Sequence, residues 1–312
     1  MLSRRNVRVK VMQMLYGMGR DNHVGLNEVI NRYRFVVAKS FELYLFSLLV
    51  LIRVASHARQ DAAKKKAKLR PTEEDRQFTA KLADNRIIQS LEKNEGLQQL
   101  FRHYKLTHRA DLDNVRMFYN DFAKTEEYRA YLRQANCTDE DHRDILLALF
   151  KHFIGSEAYD DFIEDNYPNW IDDKSLIIGA IKKTLKAMPG PEEVFYDEYR
   201  PASEAIDDFG EQLLRRVCET DGELLAIIEP SLRNWDAERV AVIDMILLKM
   251  ALCELMTFPS IPTKVTLNEF VEISKLYSTD KSKEFINGIL DRLMKQLIRD
   301  GKIQKEGRGL DE

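Results

Sequence analysis

Apolar residues recur every three or four positions along nearly the whole chain, and this period constrains the fold more than any other feature. In the opening segment Val7, Val11 and Met14 fall on one side of a helix, and Ile243 and Leu247 do the same in a later stripe. No run alternates at a period of two for long enough to predict a strand. Only 13 glycines and 8 prolines occur in 312 residues, which disfavours a turn-rich β fold. The sequence therefore predicts an all-α protein.

The longest apolar stretch lies in a predicted helix over 26–58. Its core, Leu43 to Ile52, has ten residues and is flanked by Glu42 and Arg53. A bilayer-spanning helix needs about 20 apolar residues, so we expect this helix to be buried in a protein core, with no membrane association. No apolar secretion segment follows the basic N-terminus, and the three cysteines match no metal or redox spacing. These features are typical of a cytoplasmic protein with reduced thiols.

The clearest boundary in the sequence is the run Met188-Pro189-Gly190-Pro191, because proline and glycine interrupt helices. Another break follows the opening helix, around Gly17 and Gly19. The predicted segments are an opening helix over 1–20, a helical insertion over 21–190, a group of C-terminal helices over 191–300, and a polar, frayed tail over 301–312.

Two helix starts inside the insertion carry N-cap signatures. Thr72 precedes three acidic residues and predicts a helix that continues to about Glu95. Thr138 also precedes three acidic residues and predicts a helix that continues to about Asp165.

The sequence also contains a weak internal similarity between two segments that are 65 residues apart. Phe162-Ile163-Glu164 followed by Asn169-Trp170 resembles Ile227-Ile228-Glu229 followed by Asn234-Trp235. Two interpretations stay open: a coincidence between two amphipathic helix pairs, or an internal duplication that makes part of the insertion a weak repeat of the C-terminal helices.

Charge is distributed unevenly, although the net charge is only −3. Residues 1–20 contain five cations and no acid, whereas residues 139–173 contain eleven acids and two bases. Cations near a helix start oppose the helix dipole at a cost of about 0.3 kcal/mol or more each. We therefore expect Arg4, Arg5 and Arg8 to serve a polyanionic partner. The acidic segment has three open interpretations: it masks a basic surface, docks a basic partner, or solvates an outer face.

Recognisable catalytic motifs are lacking. Gly17-Met18-Gly19 is not followed by the third glycine of a dinucleotide-binding loop, and neither a Gly-x-Ser-x-Gly elbow nor a His-Glu-x-x-His metal pair occurs. The six histidines are scattered, and the acids at 160–165 are typical of a solvated helix face. We predict a protein that is not an enzyme and that binds no metal or cofactor.

Two stretches at opposite ends of the chain resemble the NusB family of transcription antitermination factors. The first, over 4–16, is an arginine-rich helix start followed by Gln13, Leu15 and Tyr16 in the family's order. The second, over about 205–298, contains a helix ending in Glu254-Leu255, then Val265-Thr266-Leu267-Asn268-Glu269-Phe270-Val271-Glu272-Ile273-Ser274-Lys275, then Phe285-Ile286-Asn287-Gly288-Ile289-Leu290-Asp291. The resemblance implies a NusB-like helical bundle with a long helical segment inserted after its first helix.

The resemblance also implies partners and sites. NusB proteins bind the single-stranded boxA element of ribosomal RNA transcripts together with the small-subunit ribosomal protein NusE, in a complex that helps RNA polymerase pass terminators. The residues expected to contact RNA are Arg4, Arg5, Arg8, Lys281 and Lys283, with Phe285 or Tyr277 as a stacking platform. The residues expected to face the ribosomal protein are Tyr16, Glu238 and Asp244.

Some of these assignments have structural alternatives. Phe285 falls in a stripe with Ile289, so it is as typical of a core residue as of a stacking surface, and Tyr16 has an alternative role as an anchor for the first helix. The sequence departs from the family at Val9, where an acid is common, and at Glu284, where a base would help RNA binding.

Two other functions compete with RNA binding. One is a structural helical adaptor that has lost RNA binding. The other is a targeting module like the NusB-like domains fused to ribosomal RNA methyltransferases, which would require a downstream cofactor domain that we do not expect within the 312 residues. A shared face for Arg5, Arg8 and Lys283 favours RNA binding, whereas their scatter over unrelated surfaces favours the adaptor.

Overall fold

The computed structural model of this chain describes residues 2–21, 23–190, 193–232 and 239–310. Within these ranges the secondary structure is helical and no strand occurs, so the predicted all-α class is confirmed. The chain divides into two compact units. We call Lys39–Arg200 the inserted unit, and Leu2–Ala38 with Pro201–Glu312 the terminal unit.

Helix α1 covers Arg4–Arg20, and helix α2, Leu26–Ser56, begins in the terminal unit and ends in the inserted unit. The inserted unit continues with α3 (Ala58–Lys66), α4 (Glu73–Gln77), α5 (Arg86–Lys93), α6 (Glu95–His103), α7 (Leu112–Phe122), α8 (Glu126–Arg133), α9 (Asp139–Ile154), α10 (Glu157–Glu164) and α11 (Trp170–Ala187). The terminal unit resumes with α12 (Ser203–Ala205), a π-helical segment (Ile206–Glu211), α13 (Gln212–Glu219), α14 (Asp221–Ile228), α15 (Val242–Thr257), α16 (Thr263–Tyr277) and α17 (Ser282–Arg299).

The apolar middle of α2 lies in the core of the inserted unit. Every residue from Leu43 to Ile52 is at most 5% exposed, so the predicted burial of this stretch is confirmed. The continuous helical run Leu26–Lys66 is long and apolar enough to cross a membrane, but 78% of its apolar window is buried inside the protein. Aromatic rings surround it, with Phe46 5.5 Å from Tyr167 between ring centroids. Burial of this kind is what a core helix of a globular domain requires.

The helix predicted from Thr72 to about Glu95 is interrupted. Helix α4 ends at Gln77, and α5 begins only at Arg86. The reason is Asn85, whose buried side chain accepts a hydrogen bond from the Ile87 amide at 2.9 Å and donates one to the His142 carbonyl at 2.9 Å. A new N-cap anchored to another helix holds the backbone before it outside the helical region, which the local period does not reveal.

The helix predicted from Thr138 to about Asp165 is two helices. Thr138 and Asp141 form a capping box at the start of α9, as expected. The break comes at Gly155 and Ser156, where the Ser156 hydroxyl accepts from the Tyr159 amide at 3.3 Å and starts α10. A glycine followed by an N-cap residue is a helix-stop and helix-start signal, and it decides the boundary here.

Close packing in the terminal unit depends on Gly210 in the π-helical segment. A Cβ atom at this position would lie 1.9 Å from the Tyr33 hydroxyl oxygen and 2.4 Å from Cγ1 of Val7. The Tyr33 hydroxyl donates to the Ile206 carbonyl at 3.2 Å. The absence of a side chain therefore lets this segment approach both α1 and the first part of α2.

Helix α17 ends at a glycine with positive φ. Gly301 has φ +67°, and the Lys302 amide donates back to the Leu297 carbonyl at 2.9 Å, which satisfies the last turn. Beyond it, the predicted frayed tail makes specific contacts: Lys305 donates to the Phe258 carbonyl at 3.0 Å, and the Glu306 amide donates to the Pro259 carbonyl at 3.0 Å.

The division of the sequence at 20/21 and 190/191 stays a prediction. The chain passes from one compact unit to the other at different positions. The first junction falls at residues 38 and 39, inside the continuous helix α2, and the second at residues 200 and 201. The proposed duplication also stays open. Helices α10 and α14 each have eight residues, but Asn234 and Trp235 lie outside the described residues.

Candidate nucleic-acid interface

The start of α1 is fixed by a capping box. The Ser3 hydroxyl accepts from the Asn6 amide at 3.3 Å, and the Asn6 side chain accepts from the Ser3 amide at 3.3 Å. This cap sets the first helical residue at Arg4. The first turn contains cations and no acid, which is unfavourable for the helix dipole, so other groups must compensate for that charge.

Arg5 is half-exposed and bound to an acid from the other end of the chain. Its Nε and Nη2 atoms donate to the two carboxylate oxygens of Glu269 at 2.8 and 2.7 Å. This hydrogen bonding with Glu269 raises the pKa of the Arg5 guanidinium. Arg4 is exposed, and its guanidinium carbon lies 5.6 Å from the centroid of the Phe209 ring. Both guanidinium groups lie at the surface of the terminal unit.

Arg8 lies in the interior, which corrects its assignment as an RNA contact. Its side chain is 2% exposed and donates to both carboxylate oxygens of Glu254, itself fully buried, at 2.7 Å each. The guanidinium carbon lies 5.1 Å from the centroid of the Phe209 ring. A buried cation with these partners cannot reach a phosphate unless the helix is displaced, so Arg8 is a structural residue. Lys10 is likewise only 2% exposed.

Lys281 and Lys283 are exposed at the start of α17. The turn that carries them is held from beneath by Asp244, which accepts from the Ser278 hydroxyl at 2.6 Å and from the Ser282 hydroxyl at 2.7 Å. Asp244 is 5% exposed. Its predicted role as a protein-partner contact is therefore corrected. Both carboxylate oxygens already accept hydrogen bonds inside the terminal unit, and these bonds position the turn that carries the lysines.

Cations from both basic segments act on Glu272 of α16. Lys275 donates a hydrogen bond to this carboxylate. The bond from Lys275 lowers the pKa of Glu272, and the positive charges of Arg5 and Lys283 add to the effect. Glu272 thus lies within electrostatic range of both the opening helix and the last helix. The resulting surface is mixed in sign, because Glu269 and Glu272 lie among the cations.

The two aromatic candidates are neither fully buried nor fully exposed. Phe285 and Tyr277 are half-buried. The buried side of α17 is instead formed by Ile286, Leu290 and Leu293, each fully buried. Phe285 therefore lies at the edge of the apolar stripe, next to the basic turn in sequence. Its predicted role as a stacking platform stays a prediction.

Tyr16 lies near the opposite end of α1, roughly 16 Å from Arg5 along the helix axis. Its hydroxyl accepts from Nη2 of Arg20 at 2.8 Å, and the Arg20 guanidinium carbon lies 5.1 Å from the centroid of the Tyr16 ring. A groove of about 600 Å³ lies beside this helix end, lined chiefly by Leu15, Met18, Val217, Val242, Met245 and Ile246. Glu238, the remaining predicted partner residue, lies outside the described residues.

Several residues that shape this surface were not singled out by sequence reasoning. Glu254 and Glu269, the partners of Arg8 and Arg5, are 246 and 264 residues away along the chain. Both acids stand inside the motifs that carry the family resemblance, which is the one available signal. Among the described residues, no group of three or more His, Cys, Asp or Glu side chains is arranged to hold a metal ion.

Comparison with protein families matches residues 171–295 to the NusB family. Curated relatives are named transcription antitermination protein NusB. They include the proteins of Salinibacter ruber (44% identity over 103 residues), Chloroherpeton thalassium (38% over 103 residues) and Listeria innocua (44% over 84 residues). These alignments cover 33, 33 and 27% of this chain and 64, 49 and 66% of the relatives. The chain thus spans about half to two thirds of the length of these relatives. No solved structure matches it.

Proposed function

We propose, on the premise that residues 171–295 form a NusB family domain, that this chain is an RNA-binding transcription antitermination factor. The observation that carries the proposal is that Arg5, from the start of the sequence, is bound to Glu269 of α16 at 2.7 and 2.8 Å, while its charge and that of Lys283 both act on Glu272 of the same helix. The ligand we propose is a single-stranded, boxA-type element of ribosomal RNA transcripts.

Arg5 contributes a contact to RNA by releasing the Glu269 carboxylate and binding a phosphate in its place. The Glu269 carboxylate offers two oxygens to the guanidinium fork at 2.7 and 2.8 Å, and a phosphate offers the same pair. Because Arg5 is 51% exposed, RNA competes with Glu269 for a side chain that is already oriented. The energetic cost of ordering the arginine is thereby reduced.

Lys281 and Lys283 contribute charge rather than geometry. Their ammonium groups lie in solvent, and the backbone beneath them is fixed by the bonds of Asp244 to Ser278 and Ser282. Contacts of this kind release counterions and weaken as salt concentration rises. A base stacked on the exposed part of Phe285 adds roughly 1–3 kcal/mol without strong sequence preference.

We assign the opposite end of α1 to the ribosomal protein partner, NusE, within the RNA polymerase antitermination complex. The support is the groove beside this helix end, whose lining is mostly apolar and whose two charged residues, Asp221 and Lys249, are paired with each other at 2.6 Å, because the centre of a protein interface is depleted of unpaired charge and rich in apolar side chains. This assignment replaces Asp244, which is buried, with the residues that line the groove.

We assign no catalytic role to the chain. The action of Arg5 and Lys283 on one carboxylate also favours RNA binding over a purely structural adaptor, for which these cations need no common location. A targeting module of the methyltransferase type would bind RNA in the same way. It would differ only in the catalytic domain that it brings to the RNA.

The test is RNA binding by the full chain with Arg5, Lys281 and Lys283 replaced by alanine, measured by fluorescence anisotropy with a short boxA-type RNA. We expect a loss of affinity on the order of tenfold or more and a decrease of roughly 0.7 in the salt-dependence slope for each phosphate contact removed. The helical circular dichroism signal should be unchanged because all three side chains are exposed.

Lys295→Ala is the matched control, since Lys295 is an exposed lysine of the same helix α17 that lies about 18 Å along the helix axis from Lys283. It should bind RNA like the unaltered chain. If the triple variant also binds with unchanged affinity at moderate salt, these residues do not form an RNA interface and the proposal fails.

A further inference from the structure

Helix α3 of the inserted unit ends in a run of cations that the proposed function does not use. Lys65 is paired with Asp61 at 2.9 Å, and Lys68, just beyond the helix, is paired with Asp75 at 2.7 Å. Lys64, Lys66 and Arg70 are exposed, and none of them makes an ion pair within the described part of the chain. These positive charges are therefore uncompensated.

Helix α7 lies beside α3 and brings a further cation to the same face. The His57 ring, at the start of α3, lies 5.1 Å from the Tyr119 ring, and the Tyr119 hydroxyl donates to Asp61 at 2.8 Å. Lys64 is one turn beyond Asp61, and the exposed Arg116 is one turn before Tyr119. Lys64 and Arg116 therefore each lie one turn from the contact between Asp61 and Tyr119 that joins α3 and α7.

The pKa of His57 is affected by the cations on both helices. Burial lowers the pKa of His57, and the positive charges of Lys64 and Arg116 lower it further. Asp61 acts in the opposite direction, but it does not cancel the cations. Lys64 and Arg116 thus both lie within electrostatic range of His57.

Helix electrostatics explain only part of this pattern. Lysines in the last turn of a helix interact favourably with its dipole, by about 0.3–1 kcal/mol each, which accounts for Lys64 and Lys66. Arg116 lies in the middle of α7, and Arg70 lies beyond the end of α3, so the dipole does not account for either. A negatively charged partner outside the chain would account for both.

We propose that Lys64 and Arg116, which α3 and α7 bring together, and the exposed Lys66 and Arg70 that follow Lys64 in the sequence bind the phosphate backbone of RNA; we call these four cations the α3–α7 basic face. This second RNA-binding surface lies outside the residues matched to the NusB family and rests on the proposed function, because that function brings an RNA to the chain. A long transcript then contacts the protein at two surfaces, and the second contact is strengthened because the first one holds the RNA nearby.

The composition of the face favours RNA over an acidic protein. A protein interface has an apolar centre, whereas the one large apolar residue within the run 64–70 is the fully exposed Leu69. Isolated exposed apolar residues are common on protein surfaces and mark no interface. Flexible lysines and arginines without an apolar centre are typical of sequence-independent contacts to phosphates.

The experiment compares two single-stranded RNAs on the full chain by anisotropy over a range of salt concentrations. One is a short boxA-type RNA, and the other carries the same element followed by a single-stranded extension long enough to reach a second surface wherever it lies. The test variant is Lys64→Ala, Lys66→Ala, Arg70→Ala and Arg116→Ala together. We expect it to lose affinity for the long RNA on the order of tenfold. The salt slope should fall by up to about 3, because each lost phosphate contact removes roughly 0.7. Binding of the short RNA should be unchanged.

The control variant removes the same number of exposed cations from the inserted unit, each of them already paired with an acid: Arg86→Ala, Lys124→Ala, Arg133→Ala and Lys183→Ala. It should bind both RNAs like the unaltered chain. An equal loss in the control, or unchanged long-RNA binding in the test variant, overturns the inference. If the unaltered chain binds the long RNA but not the short one, the proposed function fails while the second surface stands.

Discussion

Replacing Arg8 by methionine should destabilise the terminal unit by about 3–5 kcal/mol, because it leaves a buried carboxylate without its cation. The side chains of Arg8 and Glu254 are 2% and 0% exposed. Two hydrogen bonds of 2.7 Å join them, and Glu254 accepts one further bond, from the Thr266 hydroxyl at 2.8 Å. After the substitution, Thr266 remains as its hydrogen-bond donor, and Lys305 is left as a cation that acts on it without a hydrogen bond among the contacts described.

The magnitude follows from comparing this pair with an exposed one of similar geometry. Arg5 and Glu269 make the same two-bond contact, at 2.8 and 2.7 Å, but Arg5 is 51% exposed. Exposed pairs contribute roughly 0.2–1 kcal/mol because water solvates both charges once they separate. Arg5→Met should therefore cost about 1 kcal/mol or less, although its hydrogen bonds match those of Arg8.

Urea unfolding followed by circular dichroism measures both variants. We expect a clear shift in the midpoint for Arg8→Met, little shift for Arg5→Met, and partial recovery when Glu254→Met is added to Arg8→Met, since the uncompensated charge is then gone. If Arg8→Met and Arg5→Met have equal, small effects, the buried pair is not a structural element of this fold.

Two further perturbations test the packing of each unit. Burial lowers the pKa of His142 below its ordinary value of 6.5, so the unfolded chain binds a proton more readily than the folded chain and stability falls as pH drops below 6.5. His142→Gln should reduce this acid-dependent loss in urea titrations at successive pH values, whereas an identical pH profile would contradict the assignment. Gly210→Ala should destabilise the chain by about 1–3 kcal/mol, because its Cβ would meet Tyr33 and Val7. Gly17→Ala, with no atom within 4 Å, should cost nothing, and equal thermal shifts for the two would refute the packing argument.

The sequence predicted the apolar faces of the helices well, because burial follows the local period. Val7 and Val11 of α1 are fully buried, as are Leu247 and Met250 of α15. The first part of the α15 stripe differs, since Ile246 and its neighbours line the groove beside Tyr16 and are only partly covered. Periodicity identifies the apolar side of a helix, but it does not indicate whether another element covers that side.

Local sequence could not predict which of the opening arginines is buried and which is exposed. Arg5 and Arg8 are the same residue type, three positions apart on one helix, yet one lies at the surface and the other in the interior. The difference comes from acids on α16 and α15, more than 240 residues away in sequence. Asp244 was misassigned for the same reason: its partners, Ser278 and Ser282, are 34 and 38 residues away.

The buried pair and the surface pair are coupled through the geometry of α1 and through Glu269, whose carboxylate also lies 3.5 Å from Nη1 of Arg8. Residues three apart project from the same side of a helix, so the contact of Arg8 with Glu254 fixes the rotation of α1 about its axis and directs Arg5 toward Glu269. Glu254 and Glu269 lie on α15 and α16, and Asp244, at the start of α15, holds the turn that carries Lys281 and Lys283. Buried acids of α15 therefore set the direction of both groups of surface cations. On this reasoning, the charges that orient the proposed RNA surface are located in the core of the terminal unit rather than on the surface itself.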